Sequence, residues 1–227
     1  MRLVTCFLLA LLSLRADSRN EILARMDADS KTFQSVKANL TQIEYTAAIK
    51  DRTEKKATLA LVKTKKGGVA ALVDYKSPDP EQFLFKDNKL QQYLPKVPVI
   101  QEYDLGKHSS VVNQFLMLAF GSSGQDLAKN YTIKQAVPEV LDEGVLKGVK
   151  ATRLELIPKS PDALKYMQRI EFWVPEGKGY AVQLKIYAPS GDTNTAMYSA
   201  IELNPASLKD ERSVELNAPK SVAHEKH

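Results

Sequence analysis

Arg169-Ile170-Glu171-Phe172 alternates polar and apolar residues, and the same alternation returns at residues 153–156, 183–186 and 213–216. A period of two is typical of β-strands that bury only one of their faces. Antiparallel sheets can leave one face in water, whereas parallel sheets are buried on both. The repeated pattern therefore predicts a mainly β protein with a large antiparallel sheet that has one apolar face.

The N-terminus is predicted to be a cleaved signal peptide. Met1 and Arg2 form a short basic start, and an uncharged apolar run over residues 3–14 is far shorter than the ~20 residues of a membrane span. We place cleavage after Ala16; the alternative is a buried N-terminal helix. The only cysteine, Cys6, lies in this run, so the predicted mature chain has no disulfide, thiolate metal site or cysteine nucleophile.

The rest of the chain predicts a single domain over residues 17–222 and a polar tail over 223–227 that we expect to be frayed. Ser18 and Glu21 fit a capping box at the start of a helix. The apolar residues that follow recur at helical spacing: Ile22, Met26, Phe33, Val36 and Leu40. This spacing predicts one amphipathic helix of about five turns that covers the apolar face of the sheet.

Sequential hairpins are predicted for most of the remaining residues. The strands are expected at residues 42–50, 57–65, 69–76, 82–86, 89–94, 99–103, 131–135, 148–157, 167–175, 180–188 and 195–203. Between the sixth and the seventh strand, a predicted helix begins near Ser109 and ends at Gly121, and it is almost wholly apolar from Phe115 to Phe120. A helix that is apolar nearly all round is either buried or faces a lipid-like ligand.

Patterns that would indicate catalysis are missing from the sequence. His224 and His227 lie in the tail and His108 stands alone, whereas a zinc site or a serine triad needs several convergent groups. There is no nucleophile elbow, phosphate-binding loop or dinucleotide fingerprint. The formal net charge of +5 is spread out, without the basic stripe and interleaved aromatics of a nucleic-acid site. We predict a protein that is not an enzyme, uses no cofactor or metal and binds no nucleic acid.

The order of these parts resembles the outer-membrane lipoprotein carrier (LolA) family over about residues 20–222. Residues 86–95 read Lys-Asp-Asn-Lys-Leu-Gln-Gln-Tyr-Leu-Pro, in which Asp87-Asn88 takes the place of the family's Asp-Gly turn. Residues 169–174 look like the family's late strand, and Ser190-Gly191-Asp192 looks like its late hairpin. The resemblance implies an unclosed antiparallel half-barrel with a helical lid, and acyl chains that lie between sheet and lid.

The same resemblance implies a place of action and partners. These are the periplasm of a Gram-negative bacterium, an inner-membrane donor complex and an outer-membrane acceptor, with the carrier acting as a monomer. The sequence differs from the family at two places, so the cargo stays undecided between a lipoprotein and another lipid. Residues 65–72 read Lys-Lys-Gly-Gly-Val-Ala-Ala-Leu where the family has an Arg-Pro pair linked to lid closure and release, and Val214 replaces a typical phenylalanine. We therefore assign no role in cargo release to Lys65 or Lys66.

The apolar face and the central helix supply the residues that we predict to line a hydrophobic cavity. They are Leu59, Leu61, Phe83, Phe85, Phe115, Leu116, Met117, Phe120, Leu154, Leu156, Ile170, Phe172, Leu184 and Ile186. The alternative is that these residues only pack against one another. Two functions remain open on this fold: a carrier that shelters the acyl chains of lipoproteins or of another lipid, and a periplasmic lipid-sensing or protein-interaction module.

Overall fold

The computed structural model describes residues 18–219 and 221–227, so the predicted signal peptide and Cys6 lie outside the described residues. The described chain consists of helices and strands in this order: α1 (Arg19–Thr32), β1 (Ser35–Thr46), β2 (Asp51–Lys63), β3 (Val69–Ser77), β4 (Glu81–Lys86), β5 (Lys89–Leu94), β6 (Val99–Asp104), α2 (Ser109–Met117), α3 (Gly124–Asn130), β7 (Tyr131–Val140), β8 (Lys150–Pro158), α4 (Pro161–Leu164), β9 (Arg169–Pro175), β10 (Gln183–Tyr187), β11 (Thr193–Leu203) and β12 (Ala223–Lys226). Short 3-10 helices lie at Gly106–His108, Gly144–Leu146 and Glu211–Ser213.

All the strands belong to one 12-stranded sheet in the order β12-β6-β5-β4-β3-β2-β1-β11-β10-β9-β8-β7. Every neighbouring pair is antiparallel except β12 with β6. Two runs of sequential hairpins therefore meet where β1 pairs with β11. Because β7 and β12 lie at opposite ends and do not pair, the sheet is an unclosed half-barrel, as the sequence predicts.

Helix α1 begins at the predicted capping box, where the Ser18 N–H donates to Glu21 Oε2 (2.7 Å) and the Glu21 N–H donates to Ser18 Oγ (3.3 Å). The helix ends at Thr32, so the prediction that Val36 and Leu40 continue it is wrong. Both lie on β1, where Val36, Ala38 and Leu40 are buried in alternation. A spacing of four residues fits a strand of period two as well as a helix, which explains the error.

The inner face of the sheet, defined as the face that packs against the helices, holds the main hydrophobic core. Ile22 and Met26 of α1 pack there with Leu118 and Leu127 against strand residues such as Leu61. Helix α1 also lies very close to two glycines: a Cβ built on Gly124 would be 2.3 Å from the Leu23 carbonyl oxygen, and one on Gly179 would be 2.7 Å from that of Arg25. Only a residue without a side chain fits at either place.

The outer face carries two smaller apolar clusters. One contains Trp173 and Met197, and the other contains Leu84, Leu208 and Val214. The prediction of a strand over residues 213–216 is wrong, because this segment pairs with no strand and begins with the last residue of the 3-10 helix Glu211–Ser213. Its alternation arises because Val214 points into the outer cluster while its neighbours face water.

The polar members of the alternating strands form a hydrogen-bonded network on the outer face. Arg153 Nε pairs with Glu139 Oε1 (2.7 Å) and Arg153 Nη1 with Glu171 Oε1 (3.3 Å). Trp173 Nε1 donates to Glu139 Oε2 (2.9 Å), and Tyr187 Oη donates to Glu171 Oε2 (2.7 Å). Burial and this last hydrogen bond raise the pKa of Tyr187 to about 12, so its hydroxyl remains a neutral donor.

Two further predictions, one on the end of the central helix and one on the C-terminal tail, are wrong. The central helix stops at Met117 and not at Gly121, because residues 118–121 turn inward. The tail is not frayed: residues 223–226 form β12 beside β6, and the His227 ring stacks on Tyr103 with 5.0 Å between ring centroids. In the part of the chain that the structure describes, none of the helices has the length and apolar character needed to span a membrane.

Candidate functional site: the inner face beneath helix α2

Helix α2 lies over the inner face, and none of its nine residues is buried. Val112, Leu116 and Met117 pack partly against the main core, whereas Val111 and Phe115 are 36% and 37% exposed. The next three residues, 118–120, are all buried. The apolar segment noted in the sequence thus divides into a loosely packed helix, α2, and a buried turn over residues 118–120. We call this turn the anchor.

The predicted cavity residues fall into three groups in the structure. Those that are buried in the main core are Leu59, Leu61, Phe85, Phe120, Leu154, Leu156, Ile170, Phe172 and Leu184. Leu116, Met117 and Ile186 are partly buried against that core, and Phe83 is partly buried in an adjoining cluster. Phe115 alone of the set is exposed and belongs to none of these clusters. That these side chains contact a ligand stays a prediction.

Sequence reasoning missed an aromatic group that holds the anchor in place. The Phe120 ring meets Tyr198 edge-on with 5.0 Å between centroids, and it lies 5.8 Å from the Tyr180 ring. Burial raises the pKa of Tyr198. Met197 and Tyr198 are adjacent on β11 and both large, so alternation alone gave no signal as to which of them faces inward.

The side chain of Asn113 ties α2 to the hairpin between β2 and β3. Asn113 Oδ1 accepts a hydrogen bond from the Val69 N–H (3.0 Å), and Asn113 Nδ2 donates to the Ser109 carbonyl oxygen (2.9 Å). Gly68 lies beside this contact, and a Cβ built there would be 3.4 Å from Asn113 Oδ1, an ordinary van der Waals distance. We call this contact the α2 latch.

Replacing Asn113 by alanine should loosen α2 without unfolding the protein. The change leaves the Val69 N–H without its acceptor, a loss of about 1 kcal/mol for one ordinary hydrogen bond. We expect amide protons of α2 to exchange with solvent about five times faster, with little change in those of α1. Hydrogen exchange read by mass spectrometry measures this. Gln114→Ala, on the exposed side of the same helix, is the control. Equal exchange in both variants would show that the Asn113 side chain does not hold α2 in place.

Small cavities lie beside helix α2 and beside the residues that follow it. One of about 260 Å³ is lined by residues that include Asn113, Met117 and Tyr131, and one of about 100 Å³ lies against Phe33 and Phe120. Met117 and Phe120 are therefore the members of the predicted set that border open space at these two places. Among the described residues, no three His, Cys, Asp or Glu side chains are grouped so that they could hold a metal ion.

No protein-family model and no curated protein matches the sequence. Solved structures do match. An uncharacterized conserved protein from Thermus thermophilus is 11% identical with a TM-score of 0.53, over 92% of this chain and 98% of that one. MucB is 12% identical with a TM-score of 0.52, over 90% of this chain, which spans only 65% of the MucB chain. A LolA superfamily protein from Nitrosomonas europaea is 14% identical with a TM-score of 0.40, over 89% and 99%.

The fold class follows from the architecture. The chain has the architecture that the resemblance to the LolA family implies, one unclosed antiparallel sheet whose inner face is capped by helices.

Proposed function

We propose that this protein is a periplasmic carrier that shelters the acyl chains of lipoproteins, or of another lipid, between helix α2 and the inner face of the sheet. It would receive its cargo at the inner membrane and deliver it towards the outer membrane. The observation that carries the proposal is the loose packing of helix α2. This helix has apolar side chains towards the core and, at Val111 and Phe115, towards solvent as well, and it covers an apolar sheet with no buried residue of its own.

The physical need for shelter is large. Each methylene buried is worth about 0.8 kcal/mol, so a sixteen-carbon acyl chain left in water would cost about 12 kcal/mol. The strand residues of the main core are buried in this structure, so an acyl chain must displace Leu116 and Met117 of α2 to reach them. Displacement of a helix without fully buried residues costs far less than displacement of α1, whose Ile22 and Met26 are fully buried.

Mass spectrometry of lipid that copurifies with the mature protein tests the proposal directly. A matched pair of variants then locates the site. Leu116→Asp places a carboxylate on the inner side of α2 and should abolish retention of a fluorescent fatty acid, because an unpaired charge is very costly among apolar groups. Val111→Asp, on the exposed side, should retain it. Circular dichroism of both variants checks the fold, and equal binding by both would contradict a site beneath α2.

A reversible lock on α2 provides a second test that needs no charge in the core. A Cβ built at Gly68 would lie 4.0 Å from Asn113 Cγ, close enough to try a disulfide between cysteines at these two positions. Oxidised Gly68→Cys/Asn113→Cys protein should take up and release fatty acid much more slowly than the same protein after reduction. Single Asn113→Cys, which cannot close the bridge, should show no such difference. Identical rates in the oxidised and reduced double variant would show that α2 is not the gate.

The hairpin tip at Lys65 and Lys66 is exposed, as the sequence predicts for a turn between two strands. Replacing both lysines by alanine should leave the equilibrium affinity for fatty acid nearly unchanged, since exposed charges contribute little and are screened by salt. Transfer to anionic vesicles should slow, because rim charges act mainly on association rate. A stopped-flow transfer assay beside equilibrium binding measures both quantities. A large loss of affinity with the fold intact would mean that the lysines replace the family's arginine.

A further inference from the structure

The apolar inner face continues beyond the helices towards the opposite end of the sheet from the α2 latch. Leu40, Ala57 and Tyr75 are buried there, next to the partly buried Val73 and Tyr198. Val73 and Tyr198 also pack against the main core. The apolar surface therefore runs without a break from beneath the lid to the neighbourhood of Tyr75.

Where this surface ends, the same strands continue with polar side chains on the same face. Gln42 and Glu44 follow Leu40 on β1, Lys55 precedes Ala57 on β2, Glu81 precedes Phe83 on β4, and Gln92 pairs with Phe83 on β5. Since every second residue of a strand shares a face, these five side chains line one strip. We call Gln42, Glu44, Lys55, Glu81 and Gln92 the polar strip, and all five are half-buried.

Hydrogen bonds hold the polar strip in one arrangement. Tyr75 Oη donates to Gln42 Oε1, and Gln42 Nε2 donates to Glu44 Oε1 at 3.0 Å. Lys55 Nζ pairs with Glu44 Oε2 at 3.2 Å, and Gln92 Nε2 donates to Glu81 Oε2 at 3.0 Å. Burial, and then the charges of Glu44 and Glu81, raise the pKa of Tyr75, which stays a neutral donor. Each amide keeps a second N–H, and each carboxylate keeps spare lone pairs.

A cavity of about 320 Å³ opens at the end of this strip. The strip residues Lys55 and Glu81 line it together with Pro78, Pro80 and Leu94. Asp79 and Lys96 also line it and form an ion pair with each other. Strip and cavity together present two lysines against three carboxylates, so their formal net charge is −1.

We propose that the polar strip and its cavity bind the head of the lipid cargo, and that this head is an uncharged group rich in hydrogen-bond donors and acceptors, not a phosphate. The inference rests on the proposed carrier function and names the class of lipid. A few fixed polar groups beside an apolar surface are what orients a ligand and gives specificity. A phosphate would meet a net negative site, whereas a peptide backbone or a glycan would satisfy the spare amide and carboxylate groups.

The test compares ligands that carry the same acyl chains. Displacement of a fluorescent fatty acid from the mature protein is measured with a diacyl lipopeptide, a glycosyl diacylglycerol and phosphatidylglycerol. The lipopeptide or the glycolipid should bind at least about tenfold more tightly than phosphatidylglycerol, and which of them is tighter identifies the source of the head group. Phosphatidylglycerol that binds as tightly as the better of the two would overturn the inference.

A paired variant assigns the effect to the strip. Gln42→Met with Gln92→Met keeps the side-chain length but removes both amides, and it should weaken binding of the better head group about 25-fold, as for two ordinary hydrogen bonds at about fivefold each. Free palmitate should bind as before. Gln135→Met, exposed on β7, is the control. If palmitate does not bind even to the unaltered protein, the proposed function fails; if it binds but the double variant discriminates head groups normally, only the present inference fails.

Discussion

Replacing Phe172 by alanine should lower the free energy of unfolding by about 3–5 kcal/mol. Phe172 is 0% exposed on β9 and pairs with Leu154 on β8 and with Leu184 on β10, both of which are also buried. The change removes most of a large side chain from a site where the sheet cannot collapse, because its backbone is hydrogen-bonded on both sides. Urea denaturation followed by circular dichroism measures the difference.

Tyr166→Ala is the control, because this aromatic side chain is 67% exposed and its loss should change stability by less than about 0.5 kcal/mol. A cost below about 1 kcal/mol for Phe172→Ala would contradict a filled inner face. If that small cost came with tighter binding of acyl ligand, Phe172 would instead lie at the wall of an occupied cavity. The experiment therefore separates core packing from ligand contact at a residue for which the sequence allows both.

Replacing Gly124 by alanine should lower the free energy of unfolding by about 3 kcal/mol, the upper end of the usual cost of overpacking. Two effects oppose each other. Alanine is favoured over glycine in a helix by about 1 kcal/mol, and Gly124 is the first residue of α3. Against this, the new Cβ would lie 2.3 Å from the Leu23 carbonyl oxygen, which belongs to the backbone of α1 and cannot rotate away. The clash outweighs the propensity, so α1 must shift.

Thermal or urea unfolding of Gly124→Ala measures this effect, and Gly68→Ala provides a comparison. A Cβ at Gly68 would approach no atom closer than 3.4 Å, and the nearest is the end of a side chain. Gly68→Ala should therefore cost clearly less. Stabilisation by Gly124→Ala would show that helix propensity prevails and that α1 does not lie as close to α3 as the structure places it.

Local sequence patterns predicted most of the sheet, because turns and strand alternation depend on residues that are close together in the chain. Asp87 and Asn88 both adopt positive φ, at 52° and 61°, and join β4 to β5 as the turn residues indicate. The strand over residues 89–94 has the predicted bounds. Errors arose where one local pattern fits two structures: Val36 and Leu40 suit a helix or a strand, and residues 213–216 alternate although no strand pairs with them.

The candidate site was predicted only in part, for a related reason. Apolar strand residues such as Leu154 and Ile170 were grouped correctly because alternation puts them on one face. Nothing in the sequence distinguished Phe115, which is exposed, from Leu116, which packs inward. The polar strip was missed as well, because Gln42, Lys55 and Gln92 come together only through the register of separate strands.

The sequence by itself determined the period of the strands, their turns and the capping box of α1, since each depends on residues a few positions apart. Only the tertiary structure decided which helices cover the apolar face and how tightly each of them packs. That choice depends on contacts between distant residues, such as those of α1 with Gly124 and Gly179, or of Asn113 with Val69. Alternation fixes which side chains share a face, because successive Cβ atoms point to opposite sides of a strand. It carries no information on what lies over that face.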